Sequence, residues 1–187
     1  MDGGKIVNEG IFNSAKEKLR RQVTDIENRT DLTDDEKVNQ IIVIFSTGCG
    51  AIAVQPIPFA DFFILTPLQA YMGARISAIR GVPLNEKEST DLIKELMGVV
   101  GLGALAQQLG IGAAKLFFPI FGSVATVPVV FGLTYGIGKV MDFYLSQKAL
   151  GKTPDPADLQ RVWKAARAKG KAEGKARENE IKRVQGK

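Results

Sequence analysis

Hydrophobic positions recur at helical spacing along nearly the whole chain. Ile11, Phe12, Ala15, Leu19, Val23 and Ile26 lie three or four residues apart, with Lys16, Lys18, Arg20, Arg21 and Glu27 largely between them. This predicts an amphipathic helix over residues 11–28. Thr33-Asp34-Asp35-Glu36 has the form of a capping box, Thr33 as N-cap and Glu36 reaching back. The helix it opens turns apolar at Val38 and runs through IIVIF and STGCGAIAV. Pro56 and Pro58 each lack an N–H donor and crowd the preceding turn, so they end that helix. A second apolar helix is expected from about Phe59 to Ile79, closed by Gly81 and Pro83. The pair reads as a hydrophobic hairpin with Asp61 at its elbow, where a carboxylate meets free backbone N–H groups and the positive end of a helix dipole.

The second half repeats the scheme. Asn85-Glu86-Lys87-Glu88 is another start signal, and Leu92, Ile93, Leu96, Met97 and Val100 form one face. The helix is expected to continue through the glycine-rich run GVVGLGALAQQLG. Residues 116–138 carry no charge; Pro119 breaks them and Pro128 is expected to kink them. The apolar pattern continues to about Leu150 and stops at Gly151. Asp155 as N-cap and Pro156 at the first helical position open the last helix, whose short apolar face is Leu159, Val162, Trp163 and Ala166. Beyond it, the run AKGKAEGKARENE has only alanines on its apolar side, and Gly170 and Gly174 interrupt it, which predicts a frayed, solvated helix there. No alternating strand pattern of useful length occurs. The fold class is all-α: a compact bundle of about six to seven helices with two hydrophobic helical hairpins. Residues 1–32 form an N-terminal amphipathic helix, 33–151 the hairpin core domain, and 152–187 a basic C-terminal helix and tail.

The apolar pairs 41–54 with 59–74, and 96–114 with 116–138, pose the question of where they are buried. The first pair is shorter than the roughly 20 residues that a full membrane span needs. The second is long enough but carries prolines, Gln107, Gln108 and many glycines. Small residues at four-residue spacing, Ala70/Ala74/Ala78, Gly110/Ala114 and Gly132/Gly136, allow helices to approach closely. If both pairs are hairpins, every charged segment lies on one side of them, as the positive-inside rule prefers.

Charge sharpens this picture. Residues 161–187 hold ten Lys/Arg against three Asp/Glu, so they carry +7 and the remainder carries −2. Such a tail suits anionic head groups, nucleic acid or an acidic protein face. It lacks aromatic interleaving and a recognition-helix pattern, which argues against nucleic acid. On the last helix, Trp163 with Lys164, Arg167, Lys169 and Lys171 forms a candidate lipid or partner contact. Core contact is the other reading of Trp163.

Candidate chemistry is sparse. The chain has no histidine, which removes the usual base near neutral pH and the commonest metal ligand. The single cysteine, Cys49, sits among small apolar neighbours and reads as a buried, inert thiol. Gly151-Lys152-Thr153 resembles the end of a P-loop, but Ser146 stands where the motif needs glycine, so the segment reads as a helix C-cap. Gly101-Leu-Gly103-Ala-Leu-Ala106 resembles a dinucleotide fingerprint inside a helical pattern and reads as a packing surface. No catalytic residue, cofactor site or metal site is assigned. Asp61, Arg75 and Arg80 are the ionisable groups of the apolar hairpin. Asp61 lies about four turns from Arg75, so a direct pair of the two must form between helices or between chains. The N-terminus MDGGKIVNEG lacks the basic run and apolar core of a secretory signal.

The run Pro56-Ile-Pro58-Phe-Ala-Asp61, then Leu65-Thr66-Pro67-Leu68-Gln69-Ala-Tyr-Met72, Arg75-Ile76 and Ile79-Arg80-Gly81, resembles a bacterial YcjF-like, GTPase-associated helical domain family of unknown function. That family occurs as the C-terminal domain of some Era-like GTPases, in YcjF-type inner-membrane proteins and as stand-alone chains. The resemblance covers about residues 36–150 and rests on the elbow Pro56, Pro58 and Asp61 with Gln69, Met72 and Arg75. It implies an α-helical, hydrophobic, membrane-associated module, often linked to GTPase switching, with no catalytic residues to carry over. This chain has no P-loop, so the likeness is to the stand-alone form. Pro67 departs from the pattern and argues against an unbroken second hairpin helix.

The function expected from these features is a non-enzymatic module at the cytoplasmic face of a membrane. Hydrophobic hairpins and a polybasic tail would bind anionic lipid or a partner protein. The alternative is a soluble helical adaptor that self-associates or docks on a GTPase or other partner.

Overall fold

The computed structural model describes residues 3–54, 64–101 and 127–185. The elbow residues Pro56, Pro58 and Asp61, the Gly103–Ala106 run, the Gly110/Ala114 pair and Pro119 lie outside the described residues. Six helices follow one another: α1 (Gly3–Glu27), α2 (Asp34–Ile52), α3 (Thr66–Ile79), α4 (Glu86–Val99), α5 (Val127–Ala149) and α6 (Pro156–Gln185). The described residues contain no strand, and the class is all-α.

The local start signals work as read. Thr33 accepts from the Glu36 N–H at 3.3 Å while the Glu36 carboxylate accepts from the Thr33 N–H at 2.8 Å. Asn85 and Glu88 repeat this box at 3.0 and 2.8 Å. Asp155 accepts from the Ala157 N–H at 2.7 Å, directly ahead of Pro156. The stops are equally local. Gly151 sits at φ +69°, its N–H on the Lys148 carbonyl and the Lys152 N–H on that of Gln147. This is a Schellman ending, so Gly151-Lys152-Thr153 is a helix terminus and no phosphate loop. Pro67 falls in the first turn of α3, where its missing N–H costs nothing.

Three expectations change. Helix α1 reaches back to Gly3, eight residues before the amphipathic pattern begins. Helix α4 does not run on through the glycine-rich segment: it ends at Val99, with Gly101 at φ +89° just beyond. The rest of the expected run, residues 102–110, lies outside the described residues. The largest change concerns the C-terminus, where α6 is one continuous helix to Gln185 instead of fraying after Ala168.

Helix α5 explains that continuity. It is the central element, buried over most of its surface from Val127 to Leu145. It runs antiparallel to α2, with Gly138 against Ile42 and Val127 against Gly50, and parallel to α3, with Gln69 on Thr134 and Arg80 on Asp142. Its most extensive contact is with α6, packed antiparallel along its length. Glycines set the separation. A Cβ on Gly132 would stand 2.9 Å from the Lys171 backbone N and 3.1 Å from the Arg167 carbonyl O. One on Gly170 would stand 2.7 Å from the Tyr135 Cβ and 3.0 Å from the Gly132 Cα, and one on Gly174 2.7 Å from the Phe131 Cβ. The glycines that weaken α6 as an isolated helix are therefore its contact face, where the backbones meet and large neighbours such as Phe131 are fully enclosed. Leu159, Trp163, Ala166 and Ile181 complete the same buried stripe.

Helix α4 crosses from α3 to α6: Ser89 lies against Gly73, and the Val99 carbonyl accepts from Gln160 Nε2 at 3.1 Å. Helix α1 lies on α2 through Leu19, Val23 and Ile26. Among the described residues no helix is long and apolar enough to cross a membrane. The apolar faces of α2, α3 and α5 are buried against one another and under α1 and α6.

Because the Gly132 contacts are with backbone, no rotamer change relieves them. Gly132→Ala should lower unfolding free energy by about 1–3 kcal/mol. Gly98→Ala, at an exposed helical site with open space around it, should raise it by about 0.5–1 kcal/mol. Urea unfolding of the two variants checks both signs.

Candidate functional site

Two polar regions emerge from this packing. The first is interhelical and lies at the level of the α3 C-terminus. Arg75 makes a two-pronged pair with Glu27 of α1, Nε to Oε1 at 2.7 Å and Nη2 to Oε2 at 2.5 Å. Arg80 does the same work toward α5 and α2, donating to Asp142 at 2.7 and 2.6 Å and to Asp35 at 2.7 Å. The Arg80 and Asp142 side chains are only 14% and 15% exposed. Burial works against the Arg80 charge, but Asp142 and then Asp35 outweigh it and its pKa rises. Lys139, held between Asn39 and Asp142, is pulled the other way: burial lowers its pKa, and Lys169 and Arg80 add to that. Lys16 ties α1 to α4 through Glu86 at 2.6 Å, with its ammonium 5.0 Å from the Tyr71 ring centre.

A small polar cluster sits deeper. Gln69 is buried and donates to Thr134 Oγ1 at 3.0 Å. Cys49 borders the same hydroxyl, and burial pushes its thiol up to about 12, with Thr134 acting weakly in the opposite sense. Cys49 is thus the buried, unreactive thiol its neighbours suggest. Among the described residues no three His, Cys, Asp or Glu side chains gather into a metal-binding group.

The second region is the outer face of α6. Lys164, Arg167, Lys169, Lys171 and Lys175 are exposed. The ion pairs that α6 does make are Arg161–Asp158, Arg177–Glu173 and Lys182–Glu178. The five exposed cations have no acidic partner among the described residues. Trp163 is 6% exposed and packs on Gly136, so its ring is a core contact that leaves one edge toward a cleft. That cleft, about 460 Å³, lies between Val100 and α6 and is lined by Trp163, Lys164, Arg167 and Lys171 together with Gln160. Lys169 does not line it; its charge is felt instead by Lys139 of α5.

The structure therefore brings together four of the five α6 residues singled out in the sequence and leaves Lys169 outside. Gln69 and Arg75, named with the elbow, have separate partners, Thr134 and Glu27. The Arg80–Asp142–Asp35 cluster and Glu27 are missing from the sequence reading. Arg80 stood out as a charge in an apolar hairpin; its partners, 45 and 62 positions away, could be found only by knowing that α3 runs parallel to α5.

Residues 18–170 match the model of a family described as a domain of unknown function, DUF697. No match was found among curated proteins or among solved structures.

Removing one partner of the Arg80 cluster should be costly. Asp142→Ala leaves a mostly buried guanidinium with the exposed Asp35 alone, and an unfolding loss of about 2–4 kcal/mol is expected in urea titrations. Cys49 gives a pH signature. Its folded pKa is raised from 9.0 to about 12, so above pH 9 the unfolded chain loses the thiol proton first. Stability should fall from pH 9 toward 12, and Cys49→Ala should flatten that part of the decline.

Proposed function

The chain belongs to the DUF697 family, and we propose that it is a non-enzymatic helical module that associates with the cytoplasmic face of a membrane through anionic lipid. One juxtaposition carries this reading. Gly50 near the end of α2, Val127 at the start of α5 and Ile181 near the end of α6 meet at one end of the bundle. Parallel packing puts the start of α3 at that end too. The described residues on both sides of segment 55–63, and Val127 just after segment 102–126, therefore stand at that end; in sequence the two segments carry only Asp61 and Lys115 as charged residues. The exposed Lys182 and Arg183 of α6 stand beside these points. Helix ends that border nearly uncharged sequence, with a basic helix end among them, suit a lipid surface, each Lys or Arg adding about 1 kcal/mol close to anionic head groups. The inert thiol and the use of Arg75, Arg80 and Asp142 in interhelical pairs support a structural, non-catalytic role.

A second reading, a soluble adaptor that binds a copy of itself or a partner protein, is favoured by a different observation. A groove of about 620 Å³ runs between α1, α2 and the end of α6, with Leu19, Val43, Gly48, Ala51 and Ile181 in its wall. Its small residues suit a docked helix. The resemblance to GTPase-linked domains is what suggests a GTPase as that partner.

Sedimentation with vesicles separates the two. The full chain should co-sediment with anionic vesicles at low salt and remain free with neutral ones. Replacing Lys164, Arg167, Lys169 and Lys171 by Gln should weaken binding by up to about a thousandfold. A chain that stays wholly in the supernatant with anionic vesicles at low salt would end the lipid reading.

A further inference from the structure

Building on the lipid reading, we infer that the cleft between the end of α4 and α6 is an anion site for a phosphate monoester. That group could be an acidic lipid head group or a soluble phosphate ester. Gln160, Trp163, Lys164, Arg167 and Lys171 lie at spacings of three, one, three and four along α6, so they share one face of the helix. That face is held in line by the glycine contacts with α5, which keep α6 straight where an isolated helix of this composition would fray.

Charge and shape then define the ligand class. Among the described residues three cations border the cleft and no carboxylate does. With three like charges converging and no internal counter-charge, a dianion gains more than a singly charged diester. The Arg167 guanidinium lies 5.9 Å from the Trp163 ring centre, which orients its planar fork for two-pronged contact with phosphate oxygens. Trp163 and Val100 supply an apolar wall, where such contacts are less screened than on open surface. The Gln160 amide already donates to the Val99 carbonyl. That bond satisfies one of the carbonyls at the α4 C-terminus that would otherwise face an anion.

Trp163 is the only tryptophan in the chain, so its fluorescence reports on this cleft alone. The full chain would be titrated with phosphatidylcholine vesicles containing phosphatidic acid, a monoester, or phosphatidylglycerol, a diester, matched for surface charge. Glycerol 3-phosphate would be the soluble arm. The expected result is half-saturation at roughly tenfold lower monoester lipid than diester lipid. Arg167→Gln should erase that preference, while Lys175→Gln, on the same helix but outside the cleft, shifts it less than twofold. Circular dichroism confirms that both exposed-site variants fold. A glycerol 3-phosphate response lost in Arg167→Gln also supports the site and identifies a soluble source. Equal affinity for both lipids, with equal losses in the two variants, would overturn the site and leave the membrane reading intact. Saturation by glycerol 3-phosphate with no vesicle binding would do the reverse. Silence in every arm would remove both.

Discussion

Everything in this fold depends on how closely α5 and α6 approach. Glycines 132, 170 and 174 bring the two backbones together, Gly136 makes room for the Trp163 ring, and Phe131 and Tyr135 pack beside them. A helix with as little apolar surface as α6 would gain little from ordinary packing. Contact through the main chain offsets that deficit with dispersion over many atoms, and the low propensity of Gly170 and Gly174 is the cost of reaching it. Once α6 is fixed, α5 is covered on that side, and α2 and α3 can close over the rest.

Two further consequences concern charge. With α6 committed along one stripe to α5, its remaining circumference carries the basic residues outward as an ordered array. The sequence alone would allow the same residues to be a diffuse, mobile tail. At the other extreme, Arg75 and Arg80 are taken up in interhelical pairs, Arg80 almost wholly enclosed and Arg75 about one-third exposed. They join α1, α2 and α5 to α3 across distances that no local motif encodes, and they set how those helices register against each other.

Legibility in the sequence followed the range of the interaction. The capping boxes at Thr33 and Asn85, the cap at Asp155 and the stop at Gly151 involve residues within a few positions of one another, and each was readable. The inert environment of Cys49 was readable from its neighbours. Gly170 and Gly174 were not: a glycine reads as a helix breaker until its partner helix is known. The stop of α4 at Gly101 was hidden because apolar periodicity continues past it. Of the candidate site, the cation set on α6 was visible at helical spacing, but the opposing wall was not, since Val100 lies 60 positions before Gln160. The fate of Trp163, open between lipid anchor and core, was decided by Gly136, which makes room for the ring.

The distribution of ion pairs has one more consequence. Pairs that tie one helix to another are found at Arg75, Arg80 and Lys16, toward the end of the bundle where α3 stops and α4 starts. At the opposite end, where Gly50, Val127 and Ile181 meet, the contacts are apolar. The two ends are thus held in different ways. Interhelical ion pairs, Arg80–Asp142 largely enclosed among them, hold the first, and apolar contact closes the second. Only the second is held by contacts that draw their strength from water as the surrounding medium.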